Sequence, residues 1–231
     1  MLKKLPVAVL IAIVLYVPGV PGADRPALPD GFVYLDLAIP DLVIDPRYTT
    51  EHNFVGTPID GYRHGYTVLS AAGANALAEV QETLRPFGLG LKIFDAYRPQ
   101  RAVDHFVRWG QDLREQRTKA HYYPDVDKRD LFKEGYIAAR SSHSRGSTVD
   151  LTIVAHDDTG QGRELDMGSP FDFFGPISSP HSLKVNAHQR ANRILLHMLM
   201  RAHGFAPYAQ EWWHFTLQDE PFPDTYFDFP T

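Results

Sequence analysis

Ser147-Thr148-Val149-Asp150-Leu151-Thr152-Ile153-Val154 is rich in β-branched and apolar residues and reads as a core strand. Working outward, Leu89 to Phe94 reads as a second strand that delivers Asp95-Ala96-Tyr97-Arg98 to its end, Trp212 to Leu217 as a last strand, and Phe32 to Leu37 as a short first one. Helices lie between. Ala74, Leu77, Val80 and Leu84 recur at helical spacing from Ser70 onward, and Arg85-Pro86-Phe87-Gly88 stops that helix. Pro99 suits a first helical position, with Val103, Phe106, Val107, Gly110 and Leu113 as the buried stripe. Asn186 can cap a third helix whose stripe is Ile194, Leu195, Met198, Leu199 and Ala202, ending at Gly204. Strands and helices alternate imperfectly, and two strand-like segments adjoin near the end, so the pattern predicts an α+β fold. It is expected as a single domain, a central, mainly antiparallel sheet with flanking helices.

The stretch 114–140 is charged and irregular, holds Tyr122, Tyr123, Pro124 and Tyr136, and is expected as a long surface excursion. A Gly-, Pro- and Phe-rich stretch follows over 160–180. With 231 residues, 44% of them hydrophobic, the chain has ample core for one domain or two small ones. Its 17 Gly and 18 Pro imply many turns without low complexity. There is no Cys, which excludes a disulfide framework, a thiol nucleophile, a zinc finger and an iron–sulfur cluster. Any metal must be held by His and carboxylates.

At the N-terminus, Lys3 and Lys4 precede an apolar run, Leu5 to Val17, of 13 residues. That is short of the ~20 a membrane helix needs. A basic start, a short apolar middle and the exit Pro18-Gly19-Val20-Pro21-Gly22-Ala23 read as a secretory signal cleaved near Ala23, leaving residues 24–231 as the mature domain. Without a Cys at the exit no lipid anchor is expected, so the mature protein is expected to be periplasmic or secreted, with no stable membrane anchor. Losing two Lys and no acid takes the net charge from −5 to −7, and an acidic chain lacks the basic footprint of a nucleic-acid binder.

Two segments carry candidate chemistry: Ser141-Ser142-His143-Ser144-Arg145-Gly146-Ser147-Thr148-Val149-Asp150 and Glu211-Trp212-Trp213-His214. A hydrolytic zinc needs three protein ligands, an open position for water and a nearby carboxylate to take the water's proton. His143, Asp150 and His214 could be those ligands, with Glu211 as the base. Positions three or seven apart point to opposite faces of a strand, so each segment must contain a turn or bulge. Gly146 can supply the first, and Tyr208 to Glu211 the start of the second. Against this, a chain with 11 His offers many His-plus-acid pairs, most of them surface or hydrogen-bonded groups. Spacing alone does not prove the pairing.

The first segment resembles the S-x-H-x-x-G-x-A-x-D signature, and the second the E-x-W-H signature, of D-alanyl-D-alanine dipeptidases of the VanX type, within the wider group of zinc D-Ala-D-Ala peptidases. The similarity extends through Asp95-Ala96-Tyr97-Arg98-Pro99, Gly135-Tyr136, Met167 to Phe173 and Asp219-Glu220-Pro221-Phe222-Pro223, nearly the whole mature chain. Thr148 stands where the signature has Ala; it is not a ligand position, so its hydroxyl is expected to perturb packing and leave metal binding intact.

The resemblance implies one Zn2+ per chain at the sheet, bound by His143, Asp150 and His214. It also implies Glu211 as proton acceptor and donor, and Arg98 stabilising the oxyanion. Asp172 would receive the ammonium of a small dipeptide, and Ser141 and Tyr136 would line the pocket. Each also has a plainer reading: Arg98 as a structural ion pair at a strand end, Asp172 as an Asx turn after Pro170, Ser141 as a cap, and Trp212 and Trp213 as walls and core. The implied activity is hydrolysis of D-Ala-D-Ala to two D-Ala, in cell-wall peptide processing or D-Ala recycling outside the cytoplasm. A zinc D,D-carboxypeptidase trimming peptidoglycan stems is the alternative, distinguished by an open groove instead of a pocket closed by an acid. A metal-stabilised peptidoglycan-binding module is expected to lack Glu211 or Arg98, and the chain carries both. Oligomeric state leaves no mark in the sequence.

Overall fold

Seven consecutive buried residues, Thr148 to Val154, form the middle of the sheet. Alternation along the strand divides them by face. Val149, Leu151 and Ile153 enter the main apolar core, while Thr148, Asp150 and Thr152 are equally buried but polar and turn toward the other side.

The computed structural model describes residues 25–156 and 162–231; the export signal expected over 1–23 lies outside the described residues. The order is β1 (Phe32–Tyr34), α1 (Leu35–Ala38), β2 (Val43–Ile44), β3 (Val68–Ser70), α2 (Ala71–Leu84), β4 (Leu89–Asp95), α3 (Gln100–Gln111) and α4 (Lys119–Tyr122). Then come β5 (Thr148–His156), β6 (Gly162–Glu164), α5 (Ala187–Ala202), β7 (Phe205–Pro207) and β8 (His214–Leu217), with short 3-10 turns between several of them.

β5 is central. β4 runs antiparallel along one side, from Leu89 opposite Ala155 to Asp95 opposite Asp150, with an irregularity between Ile93 and Asp95. The other side is shared by β8, which sets Thr148 opposite Thr216 and Asp150 opposite His214, and by β6. β7 closes one edge against β8, and β2 pairs parallel with β4 at the other. The sheet is therefore mainly antiparallel, as the pattern predicts. β1 and β3 form a separate two-stranded ladder.

α2 follows its sequence reading: Ser70 caps it by accepting from Gly73 N (3.2 Å), and Ala74, Leu77, Val80 and Leu84 are buried. Three expectations are corrected. The first strand stops at Tyr34 and turns into α1. α3 buries Ala102, Val103, Phe106, Trp109 and Gly110, whereas Leu113 falls beyond its end and is exposed. α5 has the predicted cap, a reciprocal box between Asn186 and Gln189, but its buried face is Arg193, Leu196 and Met200; Ile194, Leu195 and Met198 face solvent.

The excursion over 114–140 also departs from its reading, because Tyr123, Val126, Leu131 and Ile137 enter the main core. It is pinned by Lys128, 2% exposed, whose Nζ donates to Asp112 O (2.9 Å) and Glu115 O (2.6 Å) above the Trp109 ring. The last residues fold back across Tyr97, where Phe32, Phe222, Phe227 and Phe229 make an aromatic cluster. Phe227 N donates to Ser144 O (2.8 Å), so this tail braces the turn that carries His143.

Candidate metal centre and active site

Two turns set up the site. Ser141 caps a 3-10 turn over Ser142–Arg145, its Oγ accepting from His143 N (3.3 Å), and Gly146 ends the turn at φ 82°. That left-handed residue reverses the chain between His143 and β5, so His143 and Asp150 meet on one side despite their spacing. Glu211 likewise lies in a turn ahead of β8, which brings it to the same side as His214.

His143 is 1% exposed, and its Nδ1–H donates to Ala96 O at 2.7 Å. A carbonyl only accepts, so that nitrogen carries the proton and Nε2 presents a lone pair. It lies 3.2 Å from His214 Nδ1 and 3.3 Å from Asp150 Oδ1; His214 Nδ1 is 3.1 Å from the same oxygen. Asp150 Oδ1 is buried and receives no hydrogen bond. One atom from each of the three residues lies within 4.8 Å of the others. Two imidazole nitrogens converging on an orphaned carboxylate oxygen are the ligand set of a divalent cation, and these residues fit one.

Glu211 Oε2 stands 3.7 Å from His214 Nδ1. Burial pushes its pKa well up, the Asp150 and Asp172 charges add to the rise, and Arg98 offsets part of it. Arg98 is held on every side. Its Nε donates to Asp95 Oδ2 (2.9 Å), an NH2 group reaches Asp150 Oδ2 (3.4 Å), and its plane lies over Tyr48 and Phe106. The structural ion pair is thus present, and the same guanidinium also lines the cavity.

Asp172 is 4% exposed and, among the described residues, is the non-glycine residue at positive φ, 61°. Tyr48 Oη donates to both of its oxygens (3.2 and 3.0 Å). Burial, then the Asp150 charge, raises its pKa well above the ordinary value.

These groups surround one cavity of about 350 Å3, at the small end of the ~300–1,000 Å3 of ligand sites. Arg98, Tyr136, Ser141, Asp150, Asp172, Glu211 and His214 line it, with Trp213 as a wall, and His143 is buried behind them. Tyr136 stacks on Phe174, with ring centroids 5.1 Å apart. Ser141 both caps its turn and lines the cavity, and Trp212 is core, its indole N–H donating to Ser169 Oγ (3.0 Å). Every residue singled out from the two motifs is therefore brought together.

Sequence reasoning passed over Tyr48, Tyr62 and Asp95. Tyr62 Oη donates to Asp95 Oδ1 (2.7 Å), which steadies the carboxylate holding Arg98. Asp95 stands inside the quoted Asp95-Ala96-Tyr97-Arg98 run; the two tyrosines carry no spacing signal. Thr148 is fully buried, and its hydroxyl is absorbed by a hydrogen bond to Thr216 Oγ1 (2.9 Å) without displacing the sheet register.

Comparison with known proteins agrees with this geometry. Residues 29–231 match the peptidase M15 family, described as D-Ala-D-Ala dipeptidase. The chain is 47% identical over 199 residues to a D-alanyl-D-alanine dipeptidase of Streptomyces coelicolor, covering 86% of this chain and 97% of the relative. It is 42% identical over 200 residues to the enzyme of that name from Enterococcus faecalis, covering 87% and 98%. A D-alanyl-D-alanine dipeptidase of Escherichia coli is 34% identical over 79% of this chain and 83% of its own length.

Proposed function

The chain belongs to the peptidase M15 family of D-Ala-D-Ala dipeptidases and is a peptidase, and on that premise we propose that it hydrolyses D-Ala-D-Ala to two D-Ala with one zinc ion held by His143, Asp150 and His214. The observation that carries this is the orphaned Asp150 Oδ1 beside His143 Nε2 and His214 Nδ1 at the wall of a cavity that also holds Glu211. When bound, such a metal acts as a Lewis acid that polarises the scissile carbonyl and makes water acidic enough to attack at neutral pH.

The side chains supply the rest. Glu211 Oε2 accepts the proton of the attacking water and passes it to the nitrogen of the departing D-Ala. Arg98, immobilised by Asp95 and two aromatic faces, presents a fixed positive charge to the oxyanion as it develops, with no reorganisation at that moment. Asp172, oriented by Tyr48, pairs with the free ammonium of the substrate. Asp95, Asp150, Asp172 and Glu211 set four carboxyl groups against the single guanidinium of Arg98, and a divalent cation and an ammonium would supply the charge that lets them ionise together.

This placement supports a dipeptidase over a carboxypeptidase, because a blocked or extended amino end leaves the buried Asp172 carboxylate unpaired. The deciding experiment compares D-Ala-D-Ala, its N-acetyl form, L-Ala-L-Ala and a pentapeptide stem as substrates. Rapid turnover of the free D,D-dipeptide alone is expected; comparable cleavage of the acetylated dipeptide or the pentapeptide contradicts the assignment.

We further propose, from the basic and apolar stretch at residues 3–23, that the enzyme is exported and acts on cell-wall dipeptide or recycles its D-Ala outside the cytoplasm. Fractionation of the native host tests this, and full-length protein in the cytosol contradicts it.

A further inference from the structure

The two histidines of the centre are anchored by different kinds of outer partner. His143 turns its outer nitrogen to a backbone carbonyl, Ala96 O at 2.7 Å, a pure acceptor that fixes both ring and tautomer. His214 has no such partner. Its Nδ1 faces Asp150 and His143, and its outer nitrogen, Nε2, meets, among the described residues, the hydroxyl of Ser142, 3.4 Å away. A hydroxyl both donates and accepts, so Ser142 alone fixes neither the ring nor its tautomer as a carbonyl does.

Ser142 is held in turn. Thr216 Oγ1 donates to Ser142 Oγ (3.4 Å), and Thr148 Oγ1 shares a 2.9 Å hydrogen bond with Thr216 Oγ1. The register explains why these groups meet. Thr148 lies opposite Thr216 and Asp150 opposite His214, two successive same-face pairs of the β5–β8 ladder. The ladder therefore places a hydroxyl pair next to the ligand pair, on the same face. Thr148 is also the position at which the chain departs from the Ala of the metal-site signature, and its hydroxyl is fully buried.

We infer that Thr148 is a positioning residue for His214, acting through Thr216 and Ser142. The Thr148 hydroxyl fixes the rotamer of Thr216 so that Oγ1, not the methyl group, faces Ser142. Ser142 Oγ has two lone pairs, so it can accept from Thr216 on one and, when Nδ1 serves as the ligand and Nε2 carries the proton, from His214 Nε2–H on the other. Outer partners of metal-bound histidines typically change metal affinity by about 10–100-fold. With Ala at position 148 the chain of hydroxyls would end at Thr216, and His214 would depend on Ser142 and packing alone.

This inference rests on the metal-site reading above, and the test separates the two. Zinc affinity is measured by competition with a chromophoric chelator for the wild type, Ser142→Ala, Thr148→Val and Thr148→Ser, and visible spectra are recorded for the cobalt-loaded forms. Thr148→Val keeps the branched shape of the side chain and replaces the hydroxyl by a methyl group, and thermal unfolding of each variant shows that the fold is retained. The expected result is a loss of affinity of about 10–100-fold in Ser142→Ala. A smaller loss in the same direction and an altered cobalt spectrum are expected in Thr148→Val, with both restored in Thr148→Ser. Wild-type affinity and an unchanged spectrum in Thr148→Val and Ser142→Ala overturn the relay while leaving the metal site standing. Failure of the wild type itself to bind zinc overturns both.

Discussion

Glu211 and His214 stand three residues apart in one turn and strand, yet the account gives them different work. Glu211 moves a proton and touches no other proposed ligand closely, so Glu211→Gln should keep the metal and lose about 10²–10⁴ in kcat, the usual share of a general base. His214 supplies one of three ligand atoms, so His214→Ala should lose the metal itself. Metal analysis alongside kcat for the two purified variants checks both, and a metal-free Glu211→Gln protein would contradict the division.

Asp172 makes an opposite pair of predictions in one residue. Its folded pKa is raised by burial and by Asp150, so in the metal-free protein the stability it contributes is fully present below the ordinary Asp value of 3.8 and is lost as pH rises toward the raised value. Asp172→Asn keeps an acceptor for Tyr48 and never ionises. The metal-free variant should therefore become progressively more stable than the wild type as pH rises above about 4, as thermal unfolding across pH would show. In the same variant kcat/KM for D-Ala-D-Ala should fall by the factor that about 2–5 kcal/mol represents, the cost of a buried ion pair losing one partner. A stability gain joined to a loss of activity marks a residue kept for function.

At the scale of elements, the site depends on the reversal at Gly146. The residue holds φ 82°, and a Cβ there would overlap the Phe32 ring. Gly146→Ala should destabilise the fold by at least the ~1–3 kcal/mol of a strained backbone and lower metal content with it, measurable by denaturant unfolding and metal analysis. Unchanged stability would show that the turn is not constrained as described.

This element was legible in the sequence because the ligand spacing required a turn and only Gly146 could supply it. α2 was legible for a similar reason: its apolar residues define one face, Ser70 caps its start, and Arg85-Pro86-Phe87-Gly88 turns the chain away after Leu84. α5 was not. Apolar residues occur almost all round it, and the buried face centres on Arg193, which a hydropathy pattern assigns to solvent. Arg193 is inside because its guanidinium donates to Met167 O, Ile177 O and Ser179 O, carbonyls of the irregular stretch before the helix. Lys128 misleads in the same way: a charged excursion reads as surface until two backbone carbonyls and an indole are seen to accept the ammonium. Tyr48 and Tyr62 stayed hidden because their roles depend on Asp172 and Asp95, far away in sequence.

Taken as a whole, the molecule holds its site without a disulfide, since the chain contains no Cys. Rigidity comes instead from the sheet, from the aromatic cluster of the final residues braced against the His143 turn, and from the arginine locked between Asp95 and two rings. What this framework leaves unbalanced is the centre itself, a buried carboxylate oxygen that receives no hydrogen bond, with two imidazole nitrogens converging on it. A bound divalent ion resolves that imbalance and should stabilise the fold as well as enable the reaction.

The most direct measurement is D-Ala-D-Ala hydrolysis as a function of zinc added back to fully chelated protein. No turnover is expected without metal, and activity should rise linearly and saturate at one zinc per chain, accompanied by an increase in thermal stability. Turnover that survives complete metal removal, or saturation at a different stoichiometry, would contradict the one-zinc mechanism.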